Sequence, residues 1–556
     1  MSERASEPSA PRENAIVPHP VAPFPEPGPP PRDLPDLLGR LAARDPDAVV
    51  VIDRGPAGPV PVTRGELWRR TRALAAELDG RGIGAGDCVA VWLPNWSDAL
   101  VWQFAVAGLG GHVIGINTRY NVDEVRHVLA RARPALVVLA HDFHGLDLLG
   151  RLKAAVGDGP APPVAVVAGP GREAPDPATS DVGGGAWVPT GIDGPVPASD
   201  PDAPAVAFTT SGSTGMPKLA AHSGTGVLRH AVADAATIGI TERDRVLCAL
   251  PLSGVFGYNT AMAALAAGAV CVLAPVFDAD EVLADMARLG VTHVVGGDDL
   301  VLRLREAWRD QDLSAWRWWG VADFQGRSRE LAAWAAAEFG TSTSGVYGSS
   351  ELFALVAHWP LDEPEPDRWA GGGRVVDPAI AVRVVDPVTE EVLGAGREGE
   401  LQFRGPNVVD RYLGADVPDA LTRDGWFHSG DLGVLVDDGA FAYFCRMGDA
   451  LRLHGFLVDP AEIEVRLAAH PDVHTAKVVG VPSASGATVA IGFVVAEQGR
   501  TPTGLREWCA EGLAKFKVPE SVRVVEAMPT TSGTNGTKIR AATLREWASQ
   551  LLDEPA

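Results

Sequence analysis

The sequence predicts an α/β protein: a large N-terminal domain of two facing α/β halves with a small β-rich part, followed by a small α+β domain. Three observations predict it. Short apolar runs alternate with helical patterns, a Gly/Pro-rich passage interrupts that alternation midway, and the rhythm changes twice towards the C-terminus.

In the first half, residues 88–93, 112–116 and 135–140 read as buried strands, because each is an apolar run without polar alternation. Residues 97–109 and 122–132 between them have helical periodicity. An earlier helix opens at Thr63-Arg-Gly-Glu66 and runs to about residue 79, with Thr63 and Glu66 each expected to accept an amide proton that the first turn leaves unpaired. The passage 157–204 reads as a linker. Beyond it, 246–251, 270–274 and 291–295 resume the strand–helix alternation, and from about Ile380 strands such as 381–385 and 400–404 form the β-rich part. The tail contains strands at 476–481 and 489–495, a helix over 504–516, a strand near 522–526 and a closing helix from Arg540, enough to fold by itself. The expected division is 1–34 as a flexible Pro-rich tail, 35–448 as the large domain and 449–556 as the small one.

At 556 residues the chain exceeds what one hydrophobic core usually serves. A formal net charge of −23 repels phosphate at long range, which argues against nucleic-acid binding and attachment to anionic membranes. Cys88, Cys248, Cys271, Cys445 and Cys509 have no metal spacing and read as reduced thiols of a cytoplasmic protein. The N-terminus lacks the apolar stretch of a secretory signal. The uncharged run 246–277 is broken by Pro251, Gly254, Gly257, Gly268 and Pro275, so it reads as strand, helix and strand and not as a membrane span. Trp316, Trp318 and Trp319 read as core.

The strongest chemical signal is Phe208-Thr-Thr-Ser-Gly-Ser-Thr-Gly-Met-Pro-Lys218, which packs five hydroxyls, two glycines and a lysine into ten positions after a strand-like segment. Glycines let backbone amides approach phosphate, hydroxyls donate to its oxygens and Lys218 supplies charge. The spacing is not that of a Walker loop. This run resembles the phosphate loop of the adenylate-forming superfamily of acyl-CoA synthetases, luciferases and peptide-synthetase adenylation domains. Further motifs follow in that family's order. Tyr347-Gly-Ser-Ser-Glu351 resembles its YGxTE, Gly425-Trp-Phe-His-Ser-Gly-Asp431 its GWFxTGD, Arg446 with Asp449 its GRxxD hinge, and Asn535-Gly-Thr-Lys-Ile-Arg540 its GKIxR element, so the resemblance runs from about residue 35 to 550.

The resemblance implies a C-terminal lid that rotates about Asp449 between two half-reactions. It assigns Thr209, Ser211, Gly212, Ser213, Thr214, Gly215 and Lys218 to the β- and γ-phosphates of ATP, Tyr347 to the adenine, and Asp431 with Arg446 to the ribose. Ser350 stands at the family's Thr position and keeps a hydroxyl for the α-phosphate. Glu351 supplies the carboxylate that Mg²⁺ takes beside substrate phosphates. Lys538 reaches from the lid to the carboxylate and α-phosphate, where transition-state charge accumulates. Gly455, in a segment resembling the family's thiol-tunnel loop, lets backbone pass near the pantetheine arm of coenzyme A. His428 reads as a packed structural histidine.

Five positions depart from the common family pattern: Leu219 and Thr537 stand where Gly is usual, Cys445 replaces Gly, Gly448 replaces Lys and Phe456 stands where many members have Glu. The run from Arg446 to Leu453, with Gly-Phe-Leu-Val after His454, resembles a coherent acyl-CoA-synthetase subgroup variant. The family's acyl pocket draws on 251–257 and on 320–325. Gly254 opens space there, beside Gly257, while Leu252, Val255 and Phe256 offer apolar walls, which suits a bulky or extended hydrophobic acid. No acidic residue is clearly placed to receive an amino group, which argues against an amino acid substrate, with Asp323 as the one exception.

The expected activity is an AMP-forming acyl-CoA ligase taking a small-molecule carboxylic acid, ATP with Mg²⁺, and CoA. Alternatives are an enzyme of one half-reaction, making thioester from a supplied acyl-adenylate or acyl-AMP for a carrier protein in trans, a luciferase-like oxygenase, and a non-catalytic nucleotide-binding module.

Overall fold

The computed structural model describes residues 31–173, 186–187, 194, 199–210, 217–414, 421–449, 451–453, 456–458, 460–483, 488–513, 515–533 and 536–553. Two sheets dominate the large domain. The first has eight strands in the order Arg411–Tyr412, Leu219–Ser223, Pro204–Thr209, His112–Gly115, Cys88–Trp92, Leu136–Ala140, Val164–Val167 and Ala186–Trp187, parallel from Pro204–Thr209 onward. Strands Cys88–Trp92 and Leu136–Ala140 are buried at every position, as their unbroken apolar composition requires of parallel strands covered on both faces. Helices Ser97–Gly108 and Val122–Ala132 fall where the periodicity places them.

The second sheet has fourteen strands. Its parallel centre comprises Ser342–Tyr347, Trp318–Ala322, His293–Gly297, Arg245–Cys248, Val270–Leu273 and Val49–Gly55. The run 246–277 is the strand, helix and strand expected, with helix Val255–Ala266 buried along its whole length. Trp316 and Trp319 are fully buried and Trp318 nearly so, in the core.

The order of segments in the sequence is not their order in space. The hairpin Val49–Gly55/Gly58–Thr63 joins the second sheet, pairing with Val270–Leu273, while Leu219–Ser223 and Arg411–Tyr412 close the first. The β-rich part is continuous with the second sheet through the pairing of Ser342–Tyr347 with Ala357–His358. The passage 157–204 is more than a linker, since Val164–Val167 and Ala186–Trp187 extend the first sheet. Their short runs are outweighed in composition by the surrounding Gly and Pro.

Helix Arg64–Gly80 begins after Thr63, whose side chain accepts from Glu66 N at 3.2 Å. The reciprocal half of the expected capping box is absent: Glu66 pairs with Arg69, one turn along. A complete box occurs at Asn121 and Glu124 of the next surface helix.

The C-terminal region packs Val473–Pro482, Thr488–Ala496 and Ser521–Val525 into a three-stranded sheet with helices Pro460–Ala468, Leu505–Gly512 and Ala541–Asp553. The helix expected over 504–516 stops at Gly512 and is followed by a 3₁₀ turn, Lys515–Lys517, because Gly512 weakens it and Pro519 lies just beyond. The hairpin Thr530–Gly533/Gly536–Ile539 places Lys538 opposite Thr531. Its second strand rests against helix Asp298–Ala307 of the large domain, and His474 Nε2 lies 3.2 Å from Arg327 Nη1. No described helix is long and apolar enough to cross a membrane.

Candidate functional site

Strands Pro204–Thr209 and Leu219–Ser223 are antiparallel neighbours, with Thr210 N donating to Lys218 O at 2.9 Å, so they bring both ends of the Ser/Gly-rich run together. Ser211, Gly212, Ser213, Thr214 and Gly215 lie outside the described residues, as does Gly455, and of Lys538 the structure describes the backbone. The flanks are closely held. Thr209 Oγ1 is 2.7 Å from the Tyr120 hydroxyl, and Lys218 Nζ lies 4.9 Å from the centre of the Tyr412 ring. Tyr412 OH reaches Glu351 Oε1 at 3.4 Å, linking the lysine and the glutamate through one aromatic side chain.

Ser350 and Glu351 sit on the turn after strand Ser342–Tyr347. Ser350 Oγ points to Thr209 O at 3.4 Å, so this turn abuts the start of the phosphate-loop run. Three contacts fix its backbone: His222 Nε2 with Ser350 O at 2.7 Å, Val409 N with Glu351 O at 2.7 Å, and Asn407 Nδ2 with Leu352 O at 2.9 Å. Burial pushes His222 down to about 4, so the imidazole is neutral at physiological pH and its Nε2–H donates. Phe353 and Ala354 have φ of 60° and 58°, a left-handed conformation unfavourable for residues with a Cβ. The surroundings enforce it: Phe353 is fully buried among Phe208, His222, His230 and Tyr258, and the turn folds back so closely that a Cβ on Gly348 would meet Ala354 C at 2.4 Å.

Tyr347, Asp431 and Arg446 converge, as the motifs imply. Asp431 and Arg446 are register partners on adjacent strands, with Nε to Oδ1 at 3.1 Å, and Tyr347 OH donates to Asp431 Oδ2 at 2.5 Å. Burial, with Asp431 beside it, pushes the Tyr347 phenol up, so it remains a donor. Its ring stacks on Phe403 at 5.5 Å and meets Phe441 edge-on at 5.1 Å. Such a platform suits a planar base beside a carboxylate that accepts from hydroxyls. His428 is partly buried, with Nδ1 2.9 Å from Glu400 Oε2 and 3.0 Å from Gln402 Nε2. Asp449 is bound to Arg545 of the closing helix.

In the segment expected to line the acyl pocket, Leu252, Val255 and Phe256 are buried around the entry to helix Val255–Ala266, whose N-cap is Gly254. Gly257 is dictated by packing: a Cβ would lie 2.4 Å from both Leu250 O and Pro251 O. Asn95 fixes this segment, donating to Cys248 O at 2.9 Å and Leu250 O at 2.8 Å and accepting from Leu252 N at 2.9 Å. Asp323 Oδ1 accepts from Gly326 N at 3.0 Å, within its own turn. Asn95, Tyr120, His222, Asn407 and Tyr412 were not singled out from the sequence; each acts through a backbone group or a distant residue, which leaves no local signal.

No cluster of three or more His, Cys, Asp or Glu among the described residues could hold a metal by itself. Glu351, a half-buried oxygen donor beside the phosphate-loop flank, fits a magnesium ion that takes its other oxygens from phosphate and water.

The profile of the family described as AMP-binding enzyme matches residues 38–413, and that of the AMP-binding enzyme C-terminal domain matches 462–534. The chain is 30% identical over 524 residues to the 3-[(3aS,4S,7aS)-7a-methyl-1,5-dioxo-octahydro-1H-inden-4-yl]propanoyl:CoA ligase of Rhodococcus jostii (strain RHA1), covering 90% of this chain and 96% of the relative. It is 30% identical to a feruloyl-CoA synthase of Amycolatopsis sp over 88% of this chain and 95% of the relative. Among solved structures it is similar to ATP-bound MatB from Rhodopseudomonas palustris, with TM-score 0.78, 26% identity and coverage of 93% of this chain and 100% of the other. It is also similar to the amide bond synthetase McbA from Marinactinospora thermotolerans, with TM-score 0.76, 28% identity and coverage of 92% and 99%. The chain therefore belongs to the AMP-binding, adenylate-forming enzymes, the family that includes the acyl-CoA ligases.

Proposed function

We propose that this acid–thiol ligase activates a hydrophobic, ring-bearing carboxylic acid with Mg·ATP and transfers the acyl group to coenzyme A, releasing AMP and pyrophosphate. The observation that carries this reading is the junction at Thr209, where the phosphate-loop flank meets the Ser350–Glu351 turn, which directly follows Tyr347 of the Tyr347–Asp431–Arg446 cluster. Ring-bearing acids are named for both relatives above, and the buried apolar walls Leu252, Val255 and Phe256 suit them.

In the first step a carboxylate oxygen of the acid attacks the α-phosphorus, the α–β bond breaks and pyrophosphate departs. Tyr347 and the Asp431–Arg446 pair hold the nucleoside, and Thr209 and Lys218, with Ser211, Gly212, Ser213, Thr214 and Gly215, hold the β- and γ-phosphates. Ser350 donates to the α-phosphate. Magnesium bound at Glu351 offsets phosphate charge when present. Lys538, carried by the lid hairpin, places a cation where charge spreads across carboxylate and phosphate. In the second step the thiol sulfur attacks the acyl carbon, the bond to AMP breaks and the thiol proton leaves to solvent. We read 35–448 as the body and 449–556 as the lid, with Asp449 as the hinge, Gly455 beside the incoming thiol and the cytoplasm as the compartment.

Incubating the purified protein with Mg·ATP and a panel of fatty, aryl and alicyclic acids, with and without CoA, tests the reading. Pyrophosphate and acyl-CoA appearing together support it. Pyrophosphate without thioester points to another acceptor, a carrier thiol or an amine, while thioester formed only from supplied acyl-adenylate points to the second half-reaction alone.

A further inference from the structure

Asp298 opens the helix Asp298–Ala307 and is fully buried, yet its carboxylate serves a different element. Oδ1 accepts from Phe324 N at 3.0 Å and Gln325 N at 3.2 Å, and Oδ2 from Gln325 N and Arg327 N, both at 3.0 Å. Oδ1 also accepts from Asp299 N, its own neighbour, at 3.0 Å. The remaining amide of the turn, Gly326 N, goes to Asp323 Oδ1. Every backbone N–H from 324 to 327 thus ends on a carboxylate. Burial, with Asp323 beside it, pushes the Asp298 carboxyl up to about 8, and a polar group buried this deeply is costly unless hydrogen-bonded, so it fixes whatever bonds to it.

The turn lies at the C-terminal end of the parallel strand Trp318–Ala322, where ligand crevices of open α/β sheets form. Its Phe324 ring packs directly on Gly297, where a Cβ would lie 2.6 Å from the ring. The turn also faces the lid. Arg327 reaches His474, and the strand bearing Lys538 rests on the helix that Asp298 begins.

We propose that Asp298 is a positioning residue for acid recognition: by gripping the 323–327 turn it fixes the wall of the acyl pocket and sets how tightly the carboxylic acid is held. The proposal rests on the ligase reading above and adds a determinant that touches neither nucleotide nor acid.

The test uses the full chain with Asp298→Ala and Asp298→Asn, read by hydrogen exchange of peptides covering 323–328 and by separate KM values for acid and ATP. In the Ala variant, exchange in the turn accelerates and the acid KM rises by about tenfold or more while the ATP KM stays within about twofold; Asn, keeping one carbonyl acceptor, falls between. If Ala does not fold, Asn alone decides, by the same split of KM values. An unprotected turn with unchanged acid KM overturns the proposal and leaves the ligase reading standing, as does a parallel rise of both KM values with a lower melting temperature. A wild-type protein that activates no acid removes the ligase reading and this proposal with it, and is told apart because the exchange experiment still reports whether Asp298 holds the turn.

Discussion

The two regions proposed as the nucleotide side and the acyl side of the site are built differently. On the nucleotide side, Tyr347, Asp431 and Arg446 meet through their own functional groups, with Asp431 and Arg446 paired across neighbouring strands. In the segments proposed for the acyl side, Asn95 and Asp298 instead bind backbone amides and carbonyls. Side chains that touch a nucleotide must be of fixed chemical type, whereas a pocket wall can be any shape once its backbone is held. The first kind of construction leaves motifs; the second leaves almost none.

The largest expected effect belongs to Lys538, proposed to act on both substrates. Lys538→Ala lowers the rate of adenylation by about 10²–10³-fold, as loss of one preorganised cation or donor does, while conversion of supplied acyl-adenylate to acyl-CoA continues. An unaltered rate of pyrophosphate release would remove Lys538 from the first step.

Next, Asp431→Ala separates the sides. Losing the acceptor shared by Tyr347 and Arg446 raises the ATP KM by about 10- to 100-fold and leaves the acid KM within about twofold. Comparable rises in both constants would show that the two sides are not independent.

Asn95→Ala perturbs the other side. It strands the Leu250 carbonyl and the Leu252 amide in a buried place, at about 1–3 kcal/mol for each group left unpaired, while Cys248 O keeps its bond from Ala274 N, so denaturant unfolding shows a loss of a few kcal/mol and the acid KM rises more than the ATP KM. A selective rise in the ATP KM instead would assign this segment to the nucleotide.

The smallest effect is a pH dependence. Burial holds His222 and His358 down at about 4 and His230 at about 3, against about 6.5 in an unfolded chain. Between these values the unfolded state binds more protons, so the stability these neutral imidazoles contribute is present above about pH 6.5 and is lost as pH falls towards 4. Melting temperature should fall across that window, less steeply in His222→Gln. A melting temperature that is flat from pH 6.5 to 4.5 would refute the linkage.

The strands at 88–93, 135–140 and 381–385 and the helix at 122–132 were legible because their periodicity is local, and the site was legible at Tyr347, Ser350, Glu351, Asp431 and Arg446 because ordered motifs mark those positions. The sequence by itself determined this protein's α/β character, its family and the candidate residues for the nucleotide, since each follows from composition within a few consecutive residues. Tertiary structure alone decided that the Val49–Gly55 hairpin joins the second sheet, that Val164–Val167 extends the first, that Glu66 pairs with Arg69, and that His222, Asn95 and Asp298 hold the site in place. The reason is physical: these contacts join residues to backbone or to strands far along the chain, and a carbonyl or an amide has the same chemistry whatever residue bears it.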